Sequence, residues 1–542
     1  MKKLFFFFLF ILAFTFQASS QNIWDNTNSE VYPFLHRMAQ KGFIQYNDLI
    51  KPINRVHVVD VLTILKQKDS ILSDIEKKEL VFYLQEYSRP SKEQISLLKK
   101  DQNKRWRTGS IVANDFEFFL DPLLGINNFN GANKNMLQVS NGFELWGTAG
   151  KNKTLGYQVY YRDYTETGSV NNNFREESNT PGNILIGAKT DKQINYTDIR
   201  ANLNYSFKKG NISFGKDNLI WGYGENSNLV LSNKAPSYPY IRLDYKPLTW
   251  LSFNYTHAWL NSNITDSSLS YFTNTGRIDN DFRLIFVPKF LATHSIEVQA
   301  MKGLHIAIGE SIIYSDKMDP GFLIPINLFK FYDNNRSNYL IEAGSNGQYF
   351  LSLSSKNQLK NTHLYATLFI DEIKVSALFN KTESRNQLGF NLGGSITDFL
   401  IPYLSLGAEY TRVNPFVYSN LIPAQTYSSY NYSLGDWMGN NFDRAIVCAK
   451  YSPMAKLKLV ARFQKIRKGG AGTIYEQYAV QPQPTFLFDY IKTRSDVFLQ
   501  ARYEYINNIY LTTSLTLMQT KLANGNLVKD NTYQLGISVG LP

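Results

Sequence analysis

The sequence predicts an all-β transmembrane antiparallel barrel carrying a small N-terminal α-helical domain. Three observations support this. After Trp106, apolar and polar residues alternate with a period of two over segments of about 10 residues. The aromatic fraction is 15%, with 35 Tyr and 37 Phe, and tyrosine suits a membrane interface because its apolar ring carries a wet hydroxyl. Past the N-terminal residues, no stretch approaches the roughly 18 consecutive apolar residues that a membrane-crossing helix needs.

The first residues read as an export signal. Lys2 and Lys3 precede an apolar run from Leu4 to Phe16, and Ala18 and Ser20 place a cleavage site before Gln21. The run is short for a membrane anchor, and no Cys follows it as a lipid attachment point. The sole cysteine, Cys448, allows no internal disulfide. Net charge is +12, or +10 without Lys2 and Lys3, which favours anionic surfaces. No long Lys/Arg run of the nucleic-acid-binding kind is present. Excess Lys and Arg on turns, meeting lipid phosphates, account for the balance.

The expected organisation is a signal peptide over 1–20, a helical domain over 21–105 and a barrel over 106–542. In the helical domain, Ser29 is placed to cap a first helix with Val31, Leu35 and Met38 on its apolar face, ended by Gly42. A second helix starts near Asn54 with Val58, Val61, Leu62 and Leu65 at helical spacing. Ser73 with Glu76, and Ser91 with Gln94, read as capping boxes opening a third and a fourth. About 80 residues of short amphipathic helices sit near the lower limit for independent stability, so this domain is expected to lean on the barrel.

Beyond it, Ala201, Leu203, Tyr205 and Phe207 alternate with Asn202, Asn204 and Ser206. Leu457, Leu459, Ala461 and Phe463 alternate with Lys458, Val460, Arg462 and Gln464. Near the end, Tyr533, Leu535, Ile537 and Val539 alternate with Gln534, Gly536 and Ser538. A sandwich would alternate too, but its apolar face would point inward, and Arg, Glu, Gln and Gly side by side on the polar face suit a wet or plugged lumen. At about 24 residues per strand and turn, the region accommodates roughly 16 to 18 strands. Glu166–Asp191 and Tyr418–Asp436, rich in Asn, Ser, Thr and Tyr, are the candidate extracellular loops. The chain ends Gly540-Leu541-Pro542, without the aromatic terminus common in such barrels.

Catalytic motifs are absent. The six histidines show no local metal-ligand spacing, and GxSxG, GxGxxG and P-loop patterns do not occur. No enzyme, metal or cofactor is expected. The informative segment runs from Gly215 to Gly224 and on through Leu229 to Pro236. Glycines flank Trp221 and Tyr223, which either leaves the rings open for stacking on sugars or packs them into a Gly-aromatic corner of the barrel.

From this segment the chain resembles the Wzi family of outer-membrane capsule-assembly proteins. Its Gly215 to Gly224 and Leu229 to Pro236 are similar to the family's Gly-Arg-x-x-x-x-Trp-Gly-x-Gly and Leu-x-Leu-Ser-Asn-Asn-Ala runs, with Lys216 and Lys234 as departures. Phe290 to His294, Gly309 to Tyr314, Phe322 to Pro325, Leu434 to Asp443 and Arg467 to Gly469 extend the resemblance in order. It implies an 18-stranded barrel whose periplasmic end the helical domain closes, and a lectin-like role attaching or organising capsular polysaccharide or exopolysaccharide at the cell surface. Polysaccharide and outer-membrane lipids are then the partners, with export machinery compatible as a further one. Glycan-contact candidates are Trp221, Tyr223, Tyr427 and Tyr430. Asn233, His294, Glu310 and Tyr314 are candidates for hydrogen-bond networks in the lumen. The alternative function is an outer-membrane porin or solute transporter.

Overall fold

The computed structural model describes residues 22–541 apart from 89, 91, 132–133, 170–179, 186–191, 274–280, 338–343, 373–385 and 507. The proposed signal and part of the 166–191 loop thus lie outside the described residues. Eighteen antiparallel strands close one barrel. The first six are β1 (Phe116–Gly131), β2 (Lys134–Ala149), β3 (Leu155–Gly168), β4 (Gln193–Phe207), β5 (Gly210–Asp217) and β6 (Tyr238–Leu248). Then come β7 (Leu251–Thr265), β8 (Phe286–Met301), β9 (Leu304–Ser315), β10 (Asn346–Lys356), β11 (Thr362–Glu372) and β12 (Gln387–Thr397). The last six are β13 (Leu404–Val413), β14 (Phe442–Met454), β15 (Leu457–Lys468), β16 (Lys492–Ile506), β17 (Ile509–Leu522) and β18 (Leu527–Val539). Each pairs with its sequence neighbours, and β18 closes on β1 with Leu535 opposite Asn128.

Which way the side chains face identifies the solvent. Leu203, Tyr205, Phe463, Leu511, Leu515, Leu535 and Ile537 stand exposed on the outer surface. Asn202, Asn204, Ser352, Thr367, Asn391 and Thr411, at the alternate positions, are buried inside. Apolar residues outside and polar residues inside reverse the arrangement of a water-soluble sandwich and match a wall bathed in lipid. No helix among the described residues is long and apolar enough to cross a membrane; the strands cross it.

The two ends of the barrel differ. Tight turns at 150–154, 208–209, 302–303, 398–403 and 455–456 lie at one end, and the long connections 218–237, 414–441 and 469–491, with the described parts of 266–285 and 316–345, leave the strands at the other. At the short-turn end sit three helices, α1 (Val31–Gln40), α2 (Arg55–Gln67) and α3 (Asp74–Tyr87). They share an apolar core that includes Leu35, Met38, Val58, Leu62, Leu65, Leu80 and Tyr83. Asn54 caps α2 by accepting from the Val56 amide, and Ser73 and Glu76 form the expected capping box on α3. Gly42, at φ +73°, follows α1 in the left-handed conformation that glycine adopts without strain.

Two local expectations are corrected. Ser29 does not cap α1: the N-cap is Glu30, and the Ser29 hydroxyl lies 2.9 Å from that of Tyr87 instead. No fourth helix opens after Pro90. Gln94–Lys100 is a strand, paired with Trp106–Val112 in a hairpin whose Gly109–Val112 adds to the foot of β1. Ser91 itself lies outside the described residues. Strand structure therefore begins ahead of residue 106.

Candidate functional site

The chain between β5 and β6 does not form an outer loop. Residues 218–237 turn into the barrel, where Ile220 and Trp221 pair antiparallel with Lys51 and Ile50 of the helical domain, and Trp221 bridges Leu231. An apolar core forms across the lumen from three sources. Leu219, Trp221, Tyr223, Leu229 and Leu231 come from the segment, Leu49 and Ile50 from the helical domain, and Tyr240, Phe350, Tyr365 and Phe369 from the wall. The 414–441 connection joins it. Tyr418 donates to the Leu229 carbonyl at 2.8 Å and Tyr427 to the Val230 carbonyl at 2.8 Å. The expected extracellular loop 418–436 is therefore tucked inward, because backbone groups of the inserted segment need partners away from water.

The four proposed glycan contacts divide accordingly. Trp221 (1% exposed), Tyr223 (3%) and Tyr427 (0%) have their ring faces covered by protein, so the Gly-aromatic corner is the arrangement observed and no sugar ring reaches them here. Gly222, at φ +140°, lets the chain turn between Trp221 and Tyr223, and the Tyr223 hydroxyl donates to Glu297 at 2.8 Å. Tyr430 alone of the four is open, at 36%. At the same end, Tyr271, Phe272, Phe282, Tyr475 and Tyr490 are also exposed, with the Phe272 and Phe282 rings edge-on at 4.9 Å. Sequence reading did not single these out, since isolated aromatics in polar connections have no periodicity to mark them.

Of the lumen candidates, Asn233 lies in the inserted segment and lines an internal cavity of about 540 Å³. His294, Glu310 and Tyr314 do not face the lumen. They share the parity of Ile296 and Ile308, which are exposed on the outer wall. Residues 316–337 fold back over this patch, with Phe322 and Phe329 packing on Tyr255, Phe290 and Tyr314. Beneath that cover, His294 lies 3.3 Å from Glu310 and 2.8 Å from the Pro325 carbonyl, and Tyr314 lies 2.8 Å from His257. These contacts lie on the outer side of the wall, not in the lumen where the three residues were expected. Strand alternation yields two faces without saying which residues a distant segment covers.

Charged contacts bind the helical domain to the barrel. Glu79 of α3 takes Arg37 within the domain and Lys458 of β15 at 2.5 Å. Lys41 reaches Glu76 at 2.6 Å and Asp398 at 2.8 Å. Arg502 meets Glu30 at 2.5 Å. Glu86 gathers Arg55, Arg105 and Arg107 at 3.3, 2.8 and 3.1 Å. Burial alone would raise the Glu86 carboxyl, but Arg107 and Arg105 outweigh it and bring the group to about 2.

The internal cavity is lined by His36, Asp48, Lys51, Glu225, Asp436 and Lys450 among others. Glu225 accepts from Ser395 at 2.7 Å and pairs with Lys450 at 2.5 Å. Burial opposes its ionisation, yet Lys450 holds the carboxyl well below the usual carboxylate range. His36 Nε2 stands 2.8 Å from His363 Nδ1, and burial lowers His36 to about 4, leaving it neutral at pH 7. These groups, 327 positions apart in the chain for the two histidines, were invisible to motif spacing.

An 18-stranded closed barrel with an apolar outer belt and a polar interior is an outer-membrane β-barrel protein. Among solved structures, the chain is similar to Wzi of Escherichia coli, an outer membrane protein involved in group 1 capsule assembly and a carbohydrate-binding β-barrel. The two are 12% identical, and the match covers 96% of this chain and 100% of that one at a TM-score of 0.59, which shows a shared fold. Similarity extends to Pseudomonas aeruginosa OprD, at 11% identity over 78% of this chain and 94% of that one, TM-score 0.43. No protein-family model matches the chain, and no curated protein matches it in sequence.

Proposed function

We propose that this chain is a member of the Wzi family and a lectin-like outer-membrane barrel that holds capsular polysaccharide or exopolysaccharide at the cell surface. The observation that carries this reading is the filled lumen. The inserted segment, the helical domain and the 414–441 connection build an apolar core where a pore would need water. In this reading residues 1–20 direct export, the helical domain closes the periplasmic end, and the end of the barrel that carries the long connections faces the outside. The fold shared with carbohydrate-binding Wzi over nearly the whole length supports it. Glycan contact falls to the aromatics exposed at that end, Tyr430, Tyr475 and the Phe272–Phe282 pair, whose open faces stack on sugar C–H surfaces. Weak contacts repeated over many polymer units and many copies retain the polymer through avidity. Binding of this kind requires no catalytic residue.

The test compares cell-bound with released polysaccharide in cells lacking the chain. Polysaccharide shed into the medium at unchanged total synthesis supports anchoring. Unchanged retention overturns it, and solute conductance through the purified barrel then becomes the function to measure.

A further inference from the structure

We propose that His36, Glu225 and His363 form a binding site for a divalent transition metal of the zinc class, pinning helix α1, the inserted segment and the barrel wall at one point. One donor atom from each of the three side chains lies within 4.8 Å of the other two. Two imidazoles and one carboxylate, with a fourth position left for water, is a donor set that zinc takes readily.

The histidine pair is close to ligating geometry. Tetrahedral zinc at about 2.0–2.1 Å from each nitrogen separates two of its ligands by roughly 3.3 Å. The His36 Nε2 to His363 Nδ1 distance is 2.8 Å, so opening by about half an ångström admits the ion. One proton lies between these nitrogens in the hydrogen-bonded pair. On metal binding it shifts to the far nitrogen of its own ring, with no change in total proton count. For His363 the far nitrogen, Nε2, already has a partner in the Ser354 hydroxyl at 2.9 Å, the supporting contact that orients a ligating imidazole. Glu225 is oriented by Ser395 and Lys450.

The surrounding charges set the strength. Lys450 on Glu225, and Lys356 held by Asp48, oppose a dication. The Glu225 carboxylate and two neutral imidazoles favour it, and the adjoining cavity lined by His36 and Glu225 supplies the approach. The two nearby cations weaken a three-ligand site relative to one without them. The site does not rest on the glycan reading: a barrel that binds no polysaccharide would still take the metal here.

The probe is Zn2+ itself, titrated calorimetrically into the tag-free full-length chain in detergent after chelator stripping. The expected result is saturable binding of one ion per chain. His36→Asn and Glu225→Gln should each weaken it by at least about tenfold, Ser354→Ala by about tenfold through loss of ligand orientation, and His36→Asn with His363→Asn should abolish it. Folding of every variant is checked by the slower gel migration of a heated barrel. If His363→Asn fails to fold, His36→Asn and Glu225→Gln, which alter a helix and a connection rather than the wall, decide the matter. Absence of one-to-one binding by the native chain, or unchanged affinity in folded His36→Asn and Glu225→Gln, overturns the site.

Discussion

Ile50 of the helical domain pairs in an antiparallel ladder with Trp221 of the inserted segment, inside the barrel. This ladder makes the two inserted pieces one body, and the apolar core around them spans from Leu49 to the wall residue Phe369.

Replacing Trp221 by Ala therefore acts on stability. A fully buried Trp lost to Ala costs about 3–5 kcal/mol, because the core around it cannot collapse to fill the space. The thermal midpoint of the purified barrel, read by its heat-dependent gel shift, should fall markedly. A variant as stable as the parent would show that the lumen core does not hold the barrel.

The filled lumen predicts a closed barrel. In planar bilayers the intact chain should give no sustained single-channel opening. Deleting the inserted turn 219–233 should produce one, since Leu219, Trp221 and Leu231 would leave the core. Steady conductance in the intact chain would contradict the core described above.

At the outer wall, Leu535→Arg should hinder assembly while Gln534→Arg is tolerated better. Leu535 is 65% exposed on the lipid side, where an Arg costs up to about 2–4 kcal/mol depending on depth. Gln534 belongs to the alternate, inward set, bonding Asn127 at 3.0 Å. Folding yield into vesicles distinguishes the two.

Removing Glu86 by Glu86→Gln leaves Arg55, Arg105 and Arg107 short of a partner. Breaking such a buried arrangement costs about 3–5 kcal/mol and should loosen the helical domain before the barrel. Limited proteolysis would detect early cleavage within residues 31–87, and a resistance equal to the parent's would refute the role.

Acid should release the helical domain. Burial lowers both His36 and His57 from an ordinary 6.5 to about 4. Between these values the unfolded chain binds more protons than the folded one, so stability falls as pH drops from about 6.5 to about 4 and levels off below for these two groups. Proteolysis of the helical domain measured across this window should accelerate, and His36→Asn should flatten the dependence.

Period-two alternation from Ala201 to Phe207 and from Tyr533 to Val539 made the strands and their apolar face legible, because strand geometry writes itself into neighbouring residues. The Ser73–Glu76 capping box was legible for the same reason: donor and acceptor lie within three positions. Ser29 was misread because the alternative partner of its hydroxyl, Tyr87, lies 58 positions away. Of the candidate site, the Gly-aromatic segment around Trp221 stood out in the sequence, but whether its rings were bare or buried did not.

Local pattern thus decided the class of molecule: a chain of alternating strands, aromatic-rich and without a spanning helix, with a helical piece ahead of it. Only the closed barrel decided the rest. It drew residues 218–237 inside, folded 316–337 over the outer wall above His294 and Glu310, and set His36 beside His363. Each of these contacts joins residues whose separation along the chain carries no periodic signal. They arise because inserted backbone and buried polar groups must find partners within reach in space, and the ring of strands determines which groups are in reach.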